Sequence, residues 1–139
     1  MSYFDLHTAG LGYVNRIREV KPRKGTPFLA CDIVALHGDV ESPEKVKFDC
    51  KVTAPEAEKL IRRCWQAVDQ NRKVLIGFRL GDLWVDTYVH TQGAKAGQTG
   101  VSLKARLIFV SWIKIDGELV YKAAPRDAEA SEDAVSVAS

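Results

Sequence analysis

The chain has 139 residues, 46% of them apolar and 27% charged, which suits one globular domain able to bury a core without covalent staples. No run approaches the roughly 18 consecutive apolar residues that a membrane-spanning helix needs, so a membrane partner is excluded from the reading. The net charge of +2 hides an asymmetry: through Lys122 there are 19 Lys and Arg against 14 Asp and Glu (+5), and residues 123–139 carry one Arg against four acids (−3).

A basic body suits an anionic partner, although many metabolic enzymes carry as much charge. The start, Met1 to Leu6, lacks a basic segment followed by an apolar run, which predicts a protein that is not secreted. Cys31, Cys50 and Cys64 are odd in number, widely spaced and set among apolar residues. They read as buried, reduced thiols of a cytoplasmic protein.

In chain order, Gly12–Val20 reads as a first strand, ended by a loop from Lys21 to Pro27 that two prolines and a glycine force. Phe28–Leu36 is a second strand, and a polar turn runs from His37 to Pro43. From Val46 to Val52 apolar and polar residues alternate, with Val46, Phe48, Cys50 and Val52 on one face and Lys47, Asp49 and Lys51 on the other. Thr53 and Glu56 then have the spacing of a capping box, Pro55 falls in the first helical turn, and Ala57, Leu60, Ile61, Cys64 and Val68 recur at helical spacing. The helix is expected to stop near Gln70–Asn71. Two β-rich stretches, Lys73–Leu80 and Leu83–Val89, flank a bulge or sharp bend at Gly81–Asp82. A glycine-rich loop over residues 91–100 leads to a long strand, Val101–Ile115, which turns at Asp116–Gly117 and returns through Leu119–Tyr121. Residues 123–139, without an aromatic or any periodicity, read as a disordered acidic tail.

Three strands, one helix and two long strands joined by a polar hairpin form the layout of the OB-fold, a five-stranded Greek-key barrel with its helix between strands 3 and 4. The alternative is an α+β sheet with the helix on one face. Gly77 and Gly81, inside strands, favour a barrel that bends them. The expected domain is 1–122, with 123–139 as its tail.

Ligands of such barrels lie across the second and third strands, between the first–second and fourth–fifth loops. Here the first loop carries Lys21, Arg23 and Lys24, with Arg16 and Arg18 leading into it. The second carries Lys95, with Lys104 and Arg106 on the strand that leaves it. Such cations can follow a phosphate chain while exposed aromatics stack bases. Phe48 and Trp112 read as core, because each keeps company with buried-type neighbours. Phe28 opens the second strand beside the basic loop. Trp84 and Tyr88 follow the Gly81–Asp82 bend, with Asp82 and Asp86 at alternate positions to Trp84, so their face reads as solvated. Arg79 points opposite to Phe78 and Leu80, to solvent or to a ligand. Arg62 and Arg63 read as a solvated helix face, and Lys47 and Lys51 as surface lysines.

Catalytic signatures are absent: there is no Walker-A sequence, G-x-S-x-G, H-E-x-x-H or C-x-x-C. His7, His37 and His90 are scattered, with no second ligand at metal spacing. Asp82 and Asp86 beside a turn are slender grounds for a Mg²⁺ nuclease, and pairing Cys50 with His37 rests on residue type alone. The reading is therefore non-enzymatic, with no cofactor and no metal.

Tyr3–His7, Gly12–Val20, Phe78–Trp84 and Gly100–Leu107 together resemble a bacterial family of replication proteins encoded in integrative and conjugative elements, and the likeness spans roughly Ser2 to Lys122. More distantly, the strand order is similar to that of bacterial single-stranded-DNA-binding proteins. The resemblance implies an OB-fold, self-association as a dimer or tetramer, and the protection of single strands during replication or transfer of the element, with other replication proteins as further partners. Those proteins end in an acidic peptide with a hydrophobic tip, whereas this chain ends Val135-Ser136-Val137-Ala138-Ser139. The expected function is thus single-stranded DNA binding; the alternative is a protein-interaction module of the same machinery.

Overall fold

The computed structural model describes residues 6–124. Its elements run β1 (Thr8–Val20), β2 (Phe28–Asp39), β3 (Ser42–Val52), α1 (Pro55–Asp69), β4 (Val74–Val89), β5 (Thr99–Ile115) and β6 (Glu118–Lys122). Apart from Ala123 and Ala124, the expected tail lies outside the described residues. No helix among the described residues is long and apolar enough to cross a membrane.

The sheet closes on itself. β1 pairs antiparallel with both β2 and β4, β2 pairs with β3, and β4 pairs with β5. A parallel ladder from Phe48↔Leu103 to Val52↔Leu107 joins β3 to β5 and completes a five-stranded ring, the OB-fold layout. β6 extends the outer end of β5 after a turn in which Asp116 and Gly117 both have positive φ, the backbone that a two-residue hairpin requires.

Inside the ring, Leu29, Ile33, Ile76, Leu80 and Leu107 are fully buried, each contributing about 1.5–3 kcal/mol by leaving water. The helix covers the open end with Ala57, Leu60, Ile61, Cys64 and Ala67. Gly12 permits the close approach of β1 to β2, since a Cβ there would overlap the Val34 carbonyl oxygen and the Ala35 Cα. All three cysteines are free and buried. Burial pushes the Cys31 thiol up to about 12 and Cys64 up to about 11, and raises Cys50 as well, so none is a thiolate at neutral pH.

Three local expectations are corrected. The polar turn after β2 shrinks to Val40–Glu41, because cross-strand pairing carries β2 and β3 on to Asp39↔Ser42. Thr53 does not cap the helix: Ala54 is the N-cap without a side-chain hydrogen bond, and the Thr53 hydroxyl accepts from Arg106 Nη1 at 3.3 Å. The break expected at Gly81–Asp82 is present as a bulge within β4, with Asp82 at φ 53°. Trp112 is only half-buried and outside the core cluster. A register shift at Gly77/Phe78 turns Val110 and Ile113 inward and leaves Trp112 over Gly77.

Candidate nucleic-acid interface

Alternation around the ring gathers one set of side chains on the outer face. Lys47, Asp49 and Lys51 of β3 stand beside Ser102, Lys104 and Arg106 of β5, through the pairs Asp49↔Lys104 and Lys51↔Arg106. β4 adds Trp84 opposite Lys104, Asp86 opposite Ser102 and Tyr88 opposite Gly100. On the other side, β2 supplies Phe28 and Asp32, and β1 supplies Arg16 and Arg18. Two adjoining hollows of 170 and 250 Å³ share Asp49 and Lys104 and make one groove.

A bulge in β1 brings both arginines to that face. Asn15 opposes Asp32 and Arg18 opposes Ala30, so Arg16 and Ile17 together oppose one residue. Arg16 has φ 47°, which costs a residue with a Cβ about 1–2 kcal/mol. Its guanidinium offsets part of that cost by hydrogen bonding to Asp32. The phase slip lets Val14 and Ile17 point inward while Arg16 and Arg18 point outward.

The groove floor is an ion-pair network around two carboxylates. Asp32, 3% exposed, accepts hydrogen bonds from Arg16 Nε at 2.7 Å and Arg18 Nη1 at 3.3 Å. Asp49 accepts from Arg18 Nη2 and from Lys104 Nζ, both at 2.7 Å. Burial alone would raise the Asp49 pKa; the Lys104 hydrogen bond and the Arg18 and Lys104 charges outweigh it and hold the carboxyl below the ordinary range. The same bond to Asp32 raises Arg16 above its ordinary value. Three cations are thereby fixed in place, with their charge largely answered by protein carboxylates. Lys47 and Lys51 enter no ion pair among the described residues, and the Lys51 ammonium stands 4.5 Å from the Phe28 ring centre.

The aromatic wall is half in water: Trp84 is 47% and Tyr88 48% exposed. Gly100 makes room for the Tyr88 ring, since a Cβ there would lie 2.5 Å from it. On its far side Tyr88 meets His90 edge-on at 5.1 Å. Half-exposed ring faces beside fixed cations can stack bases while phosphates lie over the lysines.

Of the residues expected at the interface, Arg16, Arg18, Phe28, Trp84, Tyr88 and Lys104 line the groove. Arg106 stands next to it on β5, tied to Asp82 and Thr53. Lys21, Arg23 and Lys24 are exposed on the β1–β2 loop, which enters the groove end at Phe28, and Lys95 is exposed on the β4–β5 loop. Arg79 is not brought there; it pairs in register with Ala9 and Phe109, with its guanidinium 5.3 Å from the Phe109 ring centre. Sequence reasoning passed over Asp32, whose signal was a lone charge inside the apolar run Leu29–Ala35. It also treated Lys47 and Lys51 as ordinary surface.

Among the described residues, no group of three or more His, Cys, Asp or Glu could hold a metal ion. Residues 1–129 match the family described as "Protein of unknown function (DUF3577)". No curated protein matches the chain. Among solved structures, the chain is similar to a small single-stranded DNA-binding protein from Streptomyces coelicolor. The identity is 16% and the TM-score 0.42, over 76% of this chain and 91% of that one.

Proposed function

The chain belongs to the DUF3577 family, whose description assigns no activity, and we propose from the groove that it is a non-catalytic single-stranded DNA-binding protein. The observation that carries the reading is the pairing of half-exposed Trp84 and Tyr88 with a row of fixed and free cations across β1, β3 and β5. Bases stack on the β4 aromatics, and phosphates track Lys47, Lys51, Lys104, Arg16 and Arg18. Phe28 and the loop cations Lys21, Arg23, Lys24 and Lys95 serve the two ends, and Arg106 orders the margin. The resemblance to replication proteins of integrative and conjugative elements supports a role in replicating or transferring such an element in the cytoplasm. In this reading residues 1–122 are the binding domain, and 123–139 are an acidic tail that competes for the basic face.

The test is fluorescence titration with oligo-dT and with duplex of equal length, each at two salt concentrations. Quenched tryptophan emission, tighter single-strand than duplex binding and weakening by salt are expected. Absence of oligo-dT binding at low salt overturns the proposal. Arg79→Ala is the internal control and leaves affinity unchanged.

A second reading rests on the opposite face of the same two strands. The side of β5 that is core at Ala105 and Leu107 emerges from the barrel at Val101, 62% exposed, beside exposed Val85 and Val89. This face fits self-association of the chain, which sedimentation without DNA would detect.

A further inference from the structure

A further hollow, larger than either part of the groove, lies outside it. It measures 560 Å³ and is lined by Tyr13, Val34 and Leu36 on β1 and β2, by Lys45 on β3, and by Val68 and residues 71–74 where the helix meets β4. Cross-strand pairs join it to the groove: Asn15 of the hollow opposes Asp32 of the groove, and Val34 of the hollow opposes Lys47. The same outer face of β2 therefore continues without a break from Phe28 through Asp32 to Leu36. At about 3.3 Å per residue that is roughly 26 Å, twice the run from Phe28 to Asp32.

Its charge differs in kind from that of the groove. Three carboxylates, Asp32, Asp49 and Asp86, line the groove, whereas no carboxylate lines the hollow. Its cations are Lys45, Arg72 and Lys73. Arg72 is committed to Asp116 at 2.9 Å, and neither Lys45 nor Lys73 enters an ion pair among the described residues. The negative end of the helix, which would oppose an anion, is muted there: the carbonyls of Gln66, Ala67 and Val68 already accept the N–H groups of Gln70, Arg72 and Asn71. Tyr13 offers a half-buried ring on the wall.

We propose that this hollow is a second subsite for the same DNA strand, taking a base against Tyr13 and its phosphates on Lys45 and Lys73. The inference rests on the single-strand reading above and extends it, because the strand then runs the length of β2 and leaves the barrel beside the helix terminus.

An oligo-dT series from 4 to 16 nucleotides tests it, with wild type, Tyr13→Leu and Lys45→Ala/Lys73→Ala compared at several salt concentrations. A double variant with the same charge change on the outer helix, Lys59→Ala/Arg63→Ala, is the control. For the shortest oligomers that bind, the hollow variants match wild type. For the long ones Tyr13→Leu weakens binding at least about fivefold, the low end of one lost base stack. Lys45→Ala/Lys73→Ala makes the log–log salt slope shallower by about 1.4, from two lost phosphate contacts on a single strand. Hollow variants equal to wild type at every length overturn the subsite and leave the groove reading intact. So does a loss equal at all lengths or shared by the helix control. If wild type binds no oligomer, the single-strand reading itself falls.

Discussion

Replacing Asp49 by Asn should strengthen DNA binding at low salt while making it more sensitive to salt. Asp49 answers the charge of Arg18 and Lys104, and Asp32 that of Arg16 and again Arg18. A cation already paired with a carboxylate adds little net charge with which to neutralise a phosphate and so releases few of the counterions condensed on the strand. On the groove floor only Lys47 and Lys51 act in full. With single-strand slopes near −0.7 per neutralised phosphate, those two contribute about −1.4. Asp49→Asn frees Lys104 outright and Arg18 in part, moving the groove's contribution towards about −2.8. The assay is anisotropy of a labelled oligo-dT over a series of KCl concentrations, with a thermal melt to show that the variant folds. The removed bonds are charge-assisted and partly buried, worth about 1–3 kcal/mol before solvent screening, so some loss of melting temperature is expected. An unchanged slope, or weaker binding at low salt by a folded variant, refutes the reasoning. Asp49 would then serve to aim the cations rather than to neutralise them.

Trp84→Ala is expected to weaken oligo-dT binding about 5- to 150-fold, the equivalent of one lost stack at 1–3 kcal/mol, and Trp84→Phe to restore most of it; equal affinity of all three proteins in the same assay would remove Trp84 from the interface. Asp49 is depressed in the fold, so its stabilising contribution is fully present above the ordinary carboxylate pKa. It is lost as pH falls through the lower folded value, so wild type loses more melting temperature than Asp49→Asn when melts by circular dichroism are run from pH 7 down to pH 3. Gly12→Ala should cost about 1–3 kcal/mol in urea unfolding, because the added methyl meets β2 backbone rather than a side chain that can turn away.

Strand order and barrel class were legible because alternation over Val46–Val52, the proline-ended first loop and the single helical stretch are local signals. The candidate site was legible at Trp84, where flanking acids at alternate positions mark a wet face, whereas the exposed cations of the two long loops stand outside the groove lining. What stayed hidden depends on pairing between distant segments. Arg16 and Arg18 look like an ordinary alternation, yet their common face depends on a bulge opposite Cys31 that shows in sequence only as the odd spacing of Val14 and Ile17. Trp112 looked like core because the register shift that turns it outward is set by β4. Asp32 gains its partners from β1, and Asp49 its lysine from β5, across ladders that no local window contains.

Closure of the ring by the parallel β3–β5 ladder also bears on how the chain is made. Phe48 through Val52 leave the ribosome well before their partners, Leu103 through Leu107. Until those arrive, β3 presents an open edge and the barrel interior stays uncovered, a state prone to pair with a neighbouring nascent chain. Folding is therefore expected to be governed by a late, long-range event and to be slow for a domain of this size. The polar and charged outer positions of β3, Lys45, Lys47, Asp49 and Lys51, guard that waiting edge before they line a finished surface. The same residues thus serve the chain twice, first against aggregation and then on the outer face of the closed barrel.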